Sequence, residues 1–262
     1  MLDPDQTQQL ITDESATKRQ LRAGFPWLKF ERELEREFRR DQARTRLTQI
    51  RFNLYLAAAL SLAFGGLNAL VMDAPHLRAM YLLQFGLLLP VIVAGIAITY
   101  LENGRRIYPR VAPLLAPLAG IAIVAIEVEA SGNGVTLLFP TVVLATIFVY
   151  YLAGLLFYEA LRANAILWGA YLAFGFAGDV PETQLAYNVL VLLGANLVGA
   201  TVAYSIERVV RTQFLEEQLL SETAARDGLT GIYNRRRFDE HLETHWQQAQ
   251  RDGVPLALLL VD

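Results

Sequence analysis

Long apolar runs alternate with short charged segments along most of this chain. Six runs stand out, at about Phe52–Met72, Met80–Leu101, Val111–Glu127, Val135–Tyr158, Ala163–Ala177 and Leu185–Ile206. A bilayer core of about 30 Å is crossed by roughly 20 apolar helical residues. The first, second, fourth and sixth runs meet that length. The third and fifth are shorter, and the third is interrupted by Pro113 and Pro117. Helix is the expected state, because hydrocarbon offers unpaired backbone groups no partner and the alternating polarity of a membrane barrel is absent. The pattern predicts an all-α polytopic membrane protein with six transmembrane helices.

Charge adds a direction to that prediction. Lys18, Arg19, Arg22, Lys29, Arg32, Arg36, Arg39, Arg40, Arg44, Arg46 and Arg51 precede the first run. Arg105, Arg106 and Arg110 follow the second, Arg162 follows the fourth, and Arg208 and Arg211 follow the sixth. The first, third and fifth loops carry only Arg78, beside Asp73, Glu129, Asp179 and Glu182. Positive charge therefore alternates with each crossing, which places both termini in the cytoplasm. Composition agrees with a membrane class: 54% of residues are hydrophobic and 19% charged. With no cysteine there is no disulfide framework or thiolate site, and the three histidines are scattered. The polar, basic start is not a cleavable secretion signal.

Four regions follow: a cytoplasmic basic and amphipathic segment over 1–51, the six-helix bundle over 52–206, a connecting helix over 207–226, and a C-terminal segment over 227–262. In the first, Phe30, Leu34 and Phe38 fall at i, i+4 and i+8 and make one apolar stripe. That stripe suits either the inner headgroup layer or packing against the cytoplasmic domain or a partner protomer. Within the runs, Asn68, Gln84, Asn164, Asn188 and Asn196 are polar, and Glu127 and Glu129 lie near the outer end of the third. In hydrocarbon these groups face the bundle interior or a wet cavity, either as interhelical glue or as ligand contacts. Tyr55, Tyr81, Trp168, Tyr171 and Tyr187 are candidate interfacial anchors. The short outer loops leave no room for a folded external domain, so a signal acts within the bundle or at its outer mouth.

Ile206–Arg226 contains no glycine or proline and continues from the last run. Val210 with Phe214, and Leu215 with Leu219, form i, i+4 pairs without a sustained heptad, so a short parallel two-helix contact is expected rather than a long coiled coil. Asp227-Gly228 ends that helix, and Asn234 is an N-cap for the next. Phe238, Leu242, Trp246 and Ala249 share one face of it, expected to be buried. After the Asp252-Gly253 turn, Val254–Val261 reads as a central strand, with Asp262 at its carboxyl end.

Asp227-Gly-Leu-Thr-Gly-Ile-Tyr-Asn-Arg-Arg-Arg-Phe238, then Val254-Pro-Leu-Ala-Leu-Leu-Leu-Val-Asp262, resembles the opening of the GGDEF domain of bacterial diguanylate cyclases. The one departure is Ile232 where leucine is usual. The resemblance covers about Ala224 to Asp262 and implies an α/β domain like the palm of nucleotide polymerases, which condenses two GTP into cyclic di-GMP. It implies that Asp262 binds Mg²⁺ and that Leu229 lines the guanine pocket. Asp227 is expected to pair with Arg235 or Arg236 to hold the connecting helix on the domain. Metal-bound carboxylates suit nucleotidyl transfer, which needs a clamp on triphosphate oxygens and an activated 3′ hydroxyl. The GGDEF loop itself would lie beyond Asp262, so the chain as given is expected to be inactive.

The expected protein is thus a homodimeric sensor of the bacterial inner membrane, with GTP, the bilayer and an unidentified signal as partners and no nucleic acid. A non-catalytic signalling protein with a degenerate GGDEF domain is the alternative. A small transporter accounts for the spans but not for the C-terminal motif, and the two halves show no matched broken helices.

Overall fold

The computed structural model describes residues 16–71, 74–132, 139–178, 180–225, 230, 232 and 234–258. Its helices are α1 (Ala16–Ala23), α2 (Arg32–Thr45), α3 (Leu47–Val71), α4 (Ala74–Leu83), α5 (Leu89–Tyr100), α6 (Gly104–Gly132), α7 (Phe139–Tyr151), α8 (Phe157–Ala177), α9 (Glu182–Ala224) and α10 (Arg235–Asp252). A π-helical turn, Gln84–Leu88, joins α4 to α5. No strand occurs among the described residues. Two compact units are present, one of residues 32–209 and one of residues 1–31 with 210–262.

Among the described residues, four stretches are long and apolar enough to cross a membrane: Leu47–Leu70, His76–Tyr100, Gly104–Ser131 and Glu182–Ala224. The third run, expected to be short and broken, is part of a 29-residue helix with Pro109, Pro113 and Pro117 inside it. Each proline removes the hydrogen bond to the carbonyl four residues earlier. Spaced by four, they confine that loss to one helix face, and neighbouring helices make such loss tolerable in a membrane. The fourth run does not continue to Tyr158. Its helix ends at Tyr151, and Phe157 and Tyr158 begin α8. Phe139–Tyr151 is apolar but shorter than a full crossing, and residues 135–138 lie outside the described part. The fifth run starts earlier than expected and reaches 21 residues, with Glu159 and Arg162 in its first turns.

The break between α7 and α8 has identifiable causes. Gly154 adopts φ +74°, which ends the preceding helix without the steric penalty a side chain would bring. The exposed backbone groups there are then satisfied by side chains. Asn53 Nδ2 donates to the Leu152 carbonyl (3.0 Å), and the Tyr108 hydroxyl donates to that of Ala153 (2.9 Å). The Leu156 amide donates to Glu159 Oε2 (3.2 Å), and the Phe157 amide donates to Glu207 Oε2. Four helices therefore meet at this corner through polar contacts that hydrocarbon could not replace.

Helix α6 is the hub of the larger unit, packing on α2, α4, the π-turn, α5, α7 and α8. Gly120 permits the close approach of α8, since a Cβ there would lie 2.8 Å from Leu167 Cδ1. Around α6 the core divides into three clusters. One gathers Leu54, Tyr108, Val149 and Ala203, another Val124, Leu167, Tyr171 and Leu192, and a third Met80, Ile92, Ala122 and Ile126. Leu34 and Phe38 of α2 are buried, and α2 packs on α3 and α6. That part of the N-terminal stripe thus faces protein rather than lipid headgroups. Most of the apolar surface of α9 is instead exposed, as in Tyr187, Leu190, Leu197 and Val198.

In the smaller unit Phe30 stacks on Phe214 at 6.2 Å, and the Arg211 guanidinium lies 4.8 Å from the Phe30 ring centre. Thr17 donates to Glu222 (2.7 Å), and Gln20 Oε1 accepts from the Glu31 amide (3.1 Å). Leu28, at φ +50°, and Leu215 are both almost fully buried. The side of the connecting helix read as a two-helix contact is therefore occupied by the chain's own N-terminal segment. The expected burial of the α10 face is not met: Phe238 and Trp246 are 46% and 52% exposed. Residues 254–258 of the expected strand are described but carry no ladder, because a strand forms only by pairing and no partner strand occurs among the described residues.

Replacing Gly154 by alanine should destabilise the bundle by about 1–3 kcal/mol, from the left-handed backbone. The new Cβ would also stand 2.6 Å from Ile50 Cδ1. A lowered melting temperature of the purified protein in detergent checks this, and an unchanged value contradicts it.

Candidate functional site

The C-terminal motif begins where α9 ends, and one asparagine joins the two. The Asn234 amide donates to the Ala225 carbonyl (2.9 Å), and its Nδ2 donates to the Ala224 carbonyl (2.6 Å). Its Oδ1 accepts from the Arg237 amide (2.9 Å), capping α10. Asn234 thus closes the last carbonyls of one helix and one first-turn amide of the next, both of which lack intrahelical partners. At the far end of α10, Gly253 at φ +67° supplies the left-handed C-cap.

Arg235 lies exposed on the first turn of α10. The Arg236 side chain, Asp227, Leu229 and Asp262 lie outside the described residues. The expected pairing of Asp227 and the metal and guanine contacts of Asp262 and Leu229 therefore fall outside the described residues.

The polar residues of the bundle divide into local pairs. Ser131 donates to Glu127 Oε1 (2.7 Å), and Gln184 Nε2 donates to Ser131 Oγ (3.2 Å). Asn188 donates to the Tyr171 hydroxyl (2.7 Å), and Tyr150 donates to Asn196 Oδ1 (3.2 Å). Tyr171 is fully buried in the core rather than an interfacial anchor, whereas Tyr187 is 74% exposed. Gln84 Nε2 donates to the Ser61 carbonyl, and the Tyr81 hydroxyl donates to the Gly65 carbonyl (2.9 Å). Glu127 Oε2, Gln84 Oε1, Asn164 Oδ1 and Trp168 Nε1 are buried with no partner. Most of these groups therefore serve as glue between helices, and a few retain unused hydrogen-bonding capacity.

At the arginine-bearing end, Arg39 bonds Glu35 (3.1 Å) within α2 and Glu159 (3.0 Å) across to α8. Burial alone would lower the Arg39 pKa, but the hydrogen bonds and charges of Glu159 and Glu35 raise it. Burial likewise lowers the Arg46 pKa, and there it prevails over the opposing charge of Glu207. Glu159 and Glu207 were not singled out from sequence. Glu159 stands three residues after the helix start at Leu156, a spacing that signals an N-terminal turn once the start is known. Glu207 carried no comparable local signal.

The family described as the diguanylate cyclase GGDEF domain matches residues 224–262. This segment is similar to the opening of that domain, and the match begins at the final residue of α9. The chain therefore carries a membrane-type helical bundle followed by a segment that matches the GGDEF family model. Among curated proteins, no match to the chain was found.

Asn234→Ala should remove about 1 kcal/mol of capping and raise amide exchange in the first turn of α10 about fivefold. Asn234→Asp should keep the Arg237 amide protected, yet lose the donor to the Ala224 carbonyl. Hydrogen exchange resolved at Arg237 and at the last turn of α9 separates the two contributions.

Proposed function

We propose that the chain is the membrane sensor and signalling portion of a diguanylate cyclase that condenses two GTP into cyclic di-GMP with Mg²⁺. In this reading it is a homodimer of the bacterial inner membrane, crossing six times with both termini cytoplasmic. The alternation of arginine-bearing ends supports that topology. The two-fold symmetric product supports the dimer, since each of two facing domains contributes one GTP.

One observation carries the proposal. The apolar helix α9 runs unbroken over 43 residues from a membrane-type segment to Ala224, where the GGDEF match begins. A rigid helix of this length, about 65 Å at 1.5 Å per residue, can carry a displacement from bundle to domain. Asn234 clasps its end, so rotation or sliding of α9 is transmitted to α10. Asp262 is assigned to Mg²⁺ and Leu229 to the guanine pocket by the family resemblance, with Asp227 and Arg235 or Arg236 fixing the domain to the helix.

A protein that carries this chain through a complete GGDEF domain, reconstituted in lipid with GTP and Mg²⁺, should form cyclic di-GMP, and Asp262→Ala should abolish formation while the protein still folds. GTP binding without turnover would instead move the assignment to a non-catalytic signalling protein. Topology is testable separately because the chain has no cysteine. In intact cells a membrane-impermeant maleimide should label a cysteine at Glu182 and spare one at Asn103. The reverse pattern would invert the proposed orientation.

A further inference from the structure

Arg51 stands one turn into α3, at the arginine-bearing end of the larger unit, and its guanidinium is held in place by α5. Nε donates to Thr99 Oγ1 (3.1 Å), and Nη2 donates to the Thr99 carbonyl. That carbonyl lies in the last turn of α5, where carbonyls lack intrahelical partners. Thr99 is fully buried, and its own hydroxyl donates to the Ile96 carbonyl (2.7 Å), which leaves its lone pairs for Arg51. The guanidinium carbon also lies 4.2 Å from the centre of the Tyr100 ring. Two of the three nitrogens are thus used. Nη1 makes no hydrogen bond and is not enclosed by protein, and Arg51 forms no ion pair among the described residues.

Tyr55 follows Arg51 by four residues and shares its face of α3. Its hydroxyl meets that of Tyr100 (3.1 Å), and the two side chains are 49% and 58% exposed. In such a pair one hydroxyl donates to the other, and the acceptor keeps its own proton for a third group. The chain neighbours Phe52 and Leu101 are exposed and apolar. All of these residues lie where the first apolar run begins and the second ends, at the level of lipid headgroups. A locked guanidinium with a spare donor and no carboxylate suits a phosphate, whose oxygens accept charge-assisted hydrogen bonds.

We propose that Arg51, Tyr55 and Tyr100 form a binding site for the phosphate of an anionic phospholipid, whose acyl chains lie along α3 and α5. Arg51 Nη1 and the spare tyrosine hydroxyl donate to the phosphate oxygens. Thr99 fixes the guanidinium against Tyr100, which sets both donors on one surface. Basic sites between membrane helices recognise acidic headgroups by this chemistry. The site rests on the bundle crossing a membrane, and neither the cyclase reading nor the orientation of the chain enters into it.

The test is native mass spectrometry of the purified chain in a neutral detergent. It is titrated with dioleoyl phosphatidylglycerol or with dioleoylglycerol, which lacks the phosphate. One phosphatidylglycerol per chain should bind about tenfold more tightly than dioleoylglycerol. Arg51→Met should erase that preference, whereas Arg105→Met, an exposed arginine at the same end, should leave it intact. The double variant Tyr55→Phe, Tyr100→Phe keeps Arg51 and both rings, and should weaken phosphatidylglycerol alone by about threefold. It keeps the proposal testable if Arg51→Met does not fold. Equal affinities for the two lipids in the parent, or an undiminished preference in either folded Arg51 or tyrosine variant, would overturn the site. An equal loss in Arg105→Met would do so too, by showing diffuse surface charge, as would displacement by millimolar glycerol 3-phosphate, by showing a site for free phosphate.

Discussion

The absence of water from a hydrocarbon core is the constraint on which this structure depends. Every amide, carbonyl and polar side chain placed there must be satisfied by the protein itself. At the corner between α7 and α8, on the arginine-bearing side of the bundle, the protein likewise supplies its own partners where the chain turns. Gly154 breaks the helix, and Asn53, Tyr108, Glu159 and Glu207 supply the partners that the break requires. These four residues come from α3, α6, α8 and α9, so one local break ties four helices together.

The same constraint explains the choice of residues elsewhere in the bundle. Three prolines are acceptable in α6 because it is the most enclosed helix, packed by neighbours along its length. Glycines are used where backbones or side chains converge, as at Gly120 against Leu167 and Gly65 against Gln84. By contrast α9 buries little and spends its apolar surface on its surroundings. Its polar positions are nevertheless tied to the bundle, through Gln184, Asn188, Asn196 and Glu207.

The smaller unit adds a second use of the connecting helix. Phe30 and Phe214 stack, with Arg211 over the Phe30 ring, and Thr17 bonds Glu222 nearby in the same unit. A cation against an aromatic face with its surroundings desolvated is worth on the order of 2 kcal/mol. The N-terminal segment thereby braces the end of α9 within the smaller unit.

Much of this could be read from the residues before any coordinates. Long apolar runs announce membrane helices because bilayer thickness sets their length. The Leu229-Thr-Gly and Asn234-Arg-Arg spacing announces the GGDEF opening because turn and cap chemistry is local in sequence. What the sequence could not disclose are events that depend on distant partners. The division of Val135–Tyr158 into two helices is decided by side chains from other helices, so a continuous apolar run conceals it. Three prolines disfavour helix in an isolated segment, yet α6 runs whole through all of them. Phe214 stacks on Phe30, and Val254–Leu258 has no partner strand among the described residues. Local chemistry fixes where helices begin and end when their ends are solvated. Tertiary contact decides the rest, because in a dry interior the energy of each polar group is set by whichever group reaches it.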